Sequence, residues 1–188
     1  MEVGSRQGKT PIFVKDVPGF YVNRCITPFQ TEVSALVLEG AELDLVDKTM
    51  KDFGFPVGPI TLMDEVGIDV AAHVGAFMAK ADLGDRSLGG DQTLISRLVE
   101  RGLLGRKTGK GFYLYPKDAK KGAKKELNPE VVAELKKVWT ERGIDLSKKP
   151  SVEDIKWRAT SRFINEAAFC LQDEIIRSPV DGKSFPLL

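Results

Sequence analysis

Apolar residues recur at helical spacing along most of this chain, while alternating stretches are short and few. From Phe20 to Leu38, the residues Val22, Ile26, Phe29, Val33, Leu36 and Val37 mark one face of a helix. Its other side carries Asn23, Thr27, Gln30, Thr31 and Ser34, polar yet uncharged, which is unusual for a helix simply bathed in water. Pro28 falls inside it and removes the hydrogen bond to the Arg24 carbonyl, so a kink is expected there. A second helix is expected from Glu42 to Phe53 on the face Leu43, Val46, Met50 and Phe53, ended by the Gly54–Pro59 breaker. Two more follow at Ile60–Val66 and Asp69–Ala81, parted by Gly67. After a glycine-rich polar loop, Asp91 can cap a helix with Leu94, Ile95, Leu98 and Val99 inward.

Gly105 to Gly111 then forms a glycine-rich loop that leads into the extended aromatic run Phe112–Tyr115, and Ile12–Val14 is a second short extended run. Asn128-Pro129 opens a helix whose expected buried side is Val132, Leu135 and Trp139. Ser151 with Asp154 predicts a capping box and a long helix to about Ile176. The spacing of Arg24 and Glu32 recurs in Arg158 and Glu166, with Phe29 answered by Phe163. Both segments could open one duplicated helical unit, or two amphipathic helices could simply look alike.

These elements predict an all-α fold. A chain of 188 residues can bury a core of its own. At 42% hydrophobic and 29% charged residues it has an ordinary globular composition. The net charge of +1 argues against nucleic acid as a dominant partner. No apolar run reaches the ~20 residues of a membrane span. Met1 to Thr10 lacks the apolar core of a secretory signal and reads as a leader. Lys117–Glu126 and Lys148-Lys149-Pro150 read as solvated linkers. Cys25 and Cys170 have no spacing motif and are expected to be buried free thiols. With only one histidine besides, they cannot supply the four ligands of a structural zinc site, and no metal is expected.

Little chemistry is self-contained here. Gly109-Lys110-Gly111 runs on into Phe112-Tyr113-Leu114, so it is no dinucleotide fingerprint, and Arg106 stands where a phosphate-binding loop requires glycine. His73 follows Asp69 by one helical turn, which could orient an imidazole for base catalysis, but that geometry is common by chance and a solvated or packing histidine is the preferred reading. As a separate enzyme the chain is incomplete.

The stretch Lys15-Asp16-Val17-Pro18-Gly19-Phe20-Tyr21-Val22-Asn23-Arg24 resembles the opening of the C-terminal domain of 3-hydroxyacyl-CoA dehydrogenases. Phe53–Pro59, Leu62–Gly67 and Gly105–Tyr113 follow in the family's order, and Arg162–Ala168 resembles the second helical repeat of its long multifunctional members, the mitochondrial trifunctional enzymes among them. This favours a genuine internal repeat. The implied fold is the multi-helical C-terminal domain of the 6-phosphogluconate/3-hydroxyacyl-CoA dehydrogenase type with a partial second repeat. Residues 1–11 would be leader, 12–116 the first repeat, 117–150 a linker with one helix, and 151–188 the truncated second repeat.

The implied reaction oxidises a 3-hydroxyacyl-CoA to the 3-ketoacyl-CoA with NAD, in fatty-acid beta-oxidation. The family's catalytic His–Glu pair and cofactor fingerprint belong to a preceding nucleotide-binding domain, so no catalytic residue is assigned here and the chain alone is expected to be inactive. What carries over is Asn23, matching an asparagine that reaches the substrate, and Lys107, matching a lysine that contacts NAD. A neutral amide can donate to a carbonyl or accept from a hydroxyl. Read without the resemblance, Asn23 would be a helix cap and Lys107 an exposed loop lysine. A homodimer and, if the source is eukaryotic, a mitochondrial matrix location are further expectations of the resemblance, the location not being readable from this stretch itself. Two other functions compete: a helical dimerisation or assembly module, and an independent acyl-CoA-binding protein, the latter with no basic pocket for the CoA phosphates. After Ile176 the family pattern is lost, which would leave the last long helix exposing an apolar face unless it docks on the first repeat or on another chain.

Overall fold

The structure is a computed structural model that describes residues 2–81, 88–116 and 125–183. The polar loop before Leu88, most of the first lysine-rich linker and the last five residues lie outside the described residues. After the short exposed helix α1 (Glu2–Arg6) come α2 (Val22–Leu38), α3 (Leu43–Phe53), α4 (Pro59–Val66), α5 (Ile68–Ala79) and α6 (Thr93–Glu100). The two-residue strands β1 (Tyr113–Leu114) and β2 (Glu126–Leu127) pair antiparallel, Tyr113 opposite Leu127. Helices α7 (Pro129–Glu141), α8 (Val152–Gln172) and α9 (Pro179–Lys183) complete an all-α architecture. The linker expected to run through Glu126 therefore ends in a strand.

Helix α2 is the axis. It runs unbroken through Pro28, burying Phe29, Val33, Leu36 and Val37 among residues of α3, α6, α7 and α8. Asn128 accepts from the Glu130 amide at 3.0 Å, so that expected cap forms; Asp91 accepts from the Thr93 amide at 2.8 Å from one residue too early, and the cap position of α6 is Gln92, which makes no side-chain cap. The buried side of α7 is Val131, Leu135 and Val138 rather than the expected Val132, Leu135 and Trp139. Trp139 is only half-buried, and its indole N–H donates to the Val37 carbonyl at 2.9 Å, which pulls that ring to the edge of the interface.

Helix α8 docks on α2, which buries Ile155, Ala159, Phe163 and Cys170 but leaves Val152, Trp157, Ile164, Phe169 and Leu171 exposed. Arg24 Nε donates to Glu166 Oε1 at 2.7 Å, and Arg158 Nε donates to Glu32 Oε1 at 2.8 Å. An early residue of each helix thus meets a late residue of the other, and the two run antiparallel. Because the pairs repeat the sequence spacing that relates the helices, the contact is close to two-fold symmetric. Phe29 and Phe163 meet edge to face near its middle, centroids 6.4 Å apart. Cys25 and Cys170 also meet there as buried free thiols. Contact with Cys170, and burial after it, pushes the Cys25 thiol above its ordinary value.

The capping box of α8 forms as expected, with Ser151 and Asp154 bonded reciprocally. Its end does not: the helix stops at Gln172, four residues short of the expected Ile176. Glu174 takes a left-handed φ of 58°, and the chain turns back so that Ile175 accepts from the Lys15 amide at 2.9 Å and Ile176 bridges to Val14.

Candidate functional site

The uncharged polar face of α2 lines a cavity of about 190 Å³. Asn23, Thr27, Gln30, Thr31 and Ser34 form one wall along it. Opposite stand Leu62, Met63 and Val66 of α4 and Ala71 and Val74 of α5, with Ile95 of α6 behind. The sequence marked this face by residue type, and the structure gives the reason: it borders a space, partly open to solvent, instead of facing bulk water. Asn23 is exposed, Thr27, Met63 and Ile95 are buried, and none of the described lining residues is charged.

Asn23 is the second residue inside α2, not its cap. The position before the helix is Tyr21, which makes no side-chain cap, and the Asn23 carbonyl accepts from Thr27 Oγ1 at 2.7 Å. The helix starts there because Gly19 and Phe20 both adopt positive φ, 76° and 50°, closing the preceding turn. Gly19 is required twice over, since a Cβ would lie 2.8 Å from the Met78 methyl.

Lys107 lies outside the cavity lining, in a single 3-10 turn (Arg106–Thr108) of the glycine-rich loop. Its ammonium is bonded to both oxygens of Asp69, at 2.5 and 2.7 Å, at the start of α5. The same contact holds the Asp69 carboxyl below the usual carboxylate range. Asp69 is thus engaged by Lys107, and His73 stands exposed on α5, as a solvated surface histidine.

Two residues that hold the site together were not singled out from the sequence. Asp64 of α4 accepts from the Phe112 and Tyr113 amides at 2.8 and 2.9 Å and from the Tyr115 hydroxyl at 3.0 Å. Burial raises its carboxyl above the ordinary value, against the opposing pull of those donors. Asp47 of α3 accepts from the Ile60 amide at 2.7 Å and from Thr61 Oγ1 at 2.6 Å, capping α4 from a distance. A Cβ on Gly105 would collide with the Asp64 carbonyl and one on Gly111 with its carboxylate. The expected purpose of the glycines was to let Lys107 approach a ligand; what Gly105 demonstrably permits is close packing of the loop on α4. The signal available was a carboxylate on the apolar face of each helix, beside Val46 and beside Met63.

Residues 19–115 match the family described as the 3-hydroxyacyl-CoA dehydrogenase C-terminal domain. The chain is 44% identical over 182 residues, 97% of its length, to the fatty acid oxidation complex subunit alpha of Idiomarina loihiensis, and 44% identical over 96% to that of Vibrio vulnificus. It spans about a quarter, 24% and 23%, of those relatives. Among solved structures it is similar to an (S)-3-hydroxybutyryl-CoA dehydrogenase from Ralstonia eutropha (TM-score 0.54, 35% identity, 62% of this chain and 41% of that one). The 3-hydroxybutyryl-CoA dehydrogenase of Escherichia coli shares the fold over more of the chain, with TM-score 0.68 at 22% identity, covering 96% of this chain and 52% of that one. The curated relatives are bacterial, which overturns the expected mitochondrial matrix location and the likeness to a mitochondrial trifunctional enzyme, since bacteria have no such compartment.

Proposed function

The chain belongs to the 3-hydroxyacyl-CoA dehydrogenase C-terminal domain family, and on that premise we propose that it forms one wall of an active-site cleft completed by a nucleotide-binding domain. The reaction inferred is oxidation of a 3-hydroxyacyl-CoA to the 3-ketoacyl-CoA in fatty-acid oxidation. The observation that carries this reading is the neutral polar face of α2 lining the cavity, with Asn23 exposed among the lining residues.

In the proposed role, the Asn23 amide accepts from the 3-hydroxyl of the substrate and donates to the 3-keto oxygen of the product. It adds no charge that would favour one over the other. NAD, when bound, supplies the hydride acceptor. Lys107 fits a contact with it: Asp69 takes two of the three ammonium donors, and the side chain is 44% exposed, so a third can serve a phosphate or ribose oxygen. Asp69 would then position Lys107, and the Asp64 network would hold the loop that carries it. The proton acceptor and the main cofactor contacts are assigned to the partner domain.

The test is reduction of acetoacetyl-CoA by NADH, with the chain alone and with a separately expressed nucleotide-binding domain. Turnover in the mixture only, lowered at least tenfold by Asn23→Ala, is the expected result. Turnover by the chain alone, or turnover indifferent to Asn23→Ala, refutes the assignment. An assembly module without chemistry is the second reading, favoured by the exposed apolar side of α8, where Trp157 and Ile164 are 54% and 58% exposed and Phe53 packs edge-on against Trp157. The expected homodimer belongs to that reading. Association of the two domains without turnover would select it.

A further inference from the structure

We propose that Cys25 and Cys170 are a redox-active dithiol, which a small hydroperoxide closes to a disulfide that fastens α8 to the N-terminal turn of α2. The reaction proposed above does not use this pair, and nothing in the cleft reading depends on it.

The two sulfurs are brought together by the ion pairs beside them. Arg24 meets Glu166 at 2.6 Å and Asp173 at 3.5 Å, and Cys170 lies between those two on the same side of α8, one turn beyond Glu166. Cys25, next to Arg24 on α2, comes against it. The residues are 1% and 0% exposed, and they are the two cysteines of the chain.

The pair is polarised as well as close. The Tyr21 hydroxyl donates to Cys25, and the Cys25 thiol donates to the Cys170 sulfur. That second bond holds the Cys170 thiol below its ordinary value, against the opposing effect of burial, and the Arg24 guanidinium adds to it. Two thiols packed only as small hydrophobes would both be pushed up. Here thiolate character gathers on Cys170, the nucleophile, while Cys25 keeps its proton.

The cover over this end of the interface is slight. The Cys170 carbonyl accepts from the Ile175 and Ile176 amides, at 2.8 and 3.3 Å, where the chain reverses. That reversal is held to residues 14 and 15 by the Lys15 amide and one bridge, and Gly182 of α9 lies against the Tyr21 hydroxyl. Local opening of so short a pairing admits a molecule the size of hydrogen peroxide while α2 and α8 stay docked.

The chemistry balances with that one oxidant. The Cys170 thiolate attacks a peroxide oxygen, the O–O bond breaks, and a sulfenic acid and hydroxide result. The Cys25 sulfur then displaces hydroxide from the Cys170 sulfur, and its proton leaves with that hydroxide as water. In sum, two thiols lose two electrons and two protons, and one peroxide becomes two waters. The disulfide closes a loop of about 145 residues and should raise the urea midpoint by up to about 2.5 M. The fastened turn also carries Asn23, so amide exchange at Asn23 and Cys25 should slow with it.

The test adds hydrogen peroxide to the folded 188-residue chain, alkylates the remaining thiols in denaturant and reads the intact mass. The expected product is a monomer lighter by two hydrogens, with no alkylated thiol, reversed by dithiothreitol. With two cysteines in the chain, a monomeric disulfide can only be this pair. Cys25→Ala should stop at the Cys170 sulfenic acid, which dimedone traps, and Cys170→Ala should leave Cys25 free to alkylate. The wild-type mass decides even where a variant folds poorly. Two alkylated thiols after peroxide would overturn the proposal, as would a chain-to-chain disulfide or a sulfinic acid in place of the internal bond. Equal trapping of both single variants would sink the assignment of Cys170 as nucleophile. A disulfide that changes neither the urea midpoint nor the exchange would refute the fastening.

Discussion

Glu166→Ala and Glu32→Ala remove the same side chain from two ion pairs of the same type on the same helix interface, which differ in burial and in what remains to hold the arginine. Arg24 and Glu166 have side chains 2% and 5% exposed; Arg158 and Glu32 are at 37% and 20%. Removing Glu166 leaves a guanidinium charge in the interior, with Asp173 at 3.5 Å as a partial substitute. Breaking one partner of a buried pair costs about 3–5 kcal/mol, and Asp173 should bring the loss to the lower end. Removing Glu32 leaves Arg158 still held by both oxygens of Glu39, at 2.6 and 2.8 Å, and a screened pair of this kind is worth about 0–1 kcal/mol. In urea, followed by far-UV circular dichroism, a slope of about 2 kcal/mol per molar turns these into midpoint losses of about 1.5 M and at most about 0.5 M. The joint replacement Arg24→Met with Glu166→Leu should recover most of the larger loss, because no buried charge remains. Equal midpoints for Glu166→Ala and Glu32→Ala would refute the claim that burial and the remaining partners, not the reciprocal pairing itself, decide the energetics of this interface.

The Asp64→Ala variant strips the acceptor from two buried backbone amides, at about 1–3 kcal/mol each, and should lower thermal stability while raising amide exchange at Phe112 and Tyr113; protection unchanged there would contradict the network. Ser151→Ala removes the side-chain half of the capping box of α8 and should cost about 1 kcal/mol in the same urea assay, against no change if the cap is ornamental. All three tyrosines ionise above their ordinary value, Tyr21 at about 12, Tyr113 and Tyr115 higher still, each chiefly through burial. The unfolded chain releases these protons from about pH 10, so stability falls as pH rises above that value, and tyrosinate absorbance should appear together with the loss of helix. Tyrosinate at pH 10 with the helical signal intact would show the rings to be accessible.

Much of the fold was legible because the helices are amphipathic and their ends are punctuated. Asn128 and Ser151 with Asp154 cap where expected because their side-chain oxygens meet amides two or three residues ahead, which is local geometry. Helix phase is different. In α7, Val132–Leu135–Trp139 and Val131–Leu135–Val138 are equally periodic, and only the neighbouring helices select the second, with Val131 and Val138 wholly buried. The stop of α8 was hidden for a related reason. Ile175 and Ile176 continue the apolar period, but they are buried by a reversed segment that pairs with residues 14 and 15, a partner too distant in sequence for any window to see.

The site shows the same division in a more useful form. A polar face without charge on α2 is a statement about environment, since bulk water would tolerate lysine or glutamate there at little cost. Charge is excluded where desolvation would penalise it and retained where a partner is supplied. Read this way, the missing charges around Thr27 and Gln30 and the buried carboxylates of Asp47 and Asp64 have one physical origin. Among the described residues the cavity wall has no charged group to neutralise an ion, and its residues are neutral. Helix α4 begins with amides that nothing local can satisfy and ends beside the amides of the aromatic strand, so carboxylates are buried at both places. Lys107 lies between these regimes: its charge is matched by Asp69 and still open to solvent. That is the condition under which a lysine can exchange one partner for another without a buried charge being left behind.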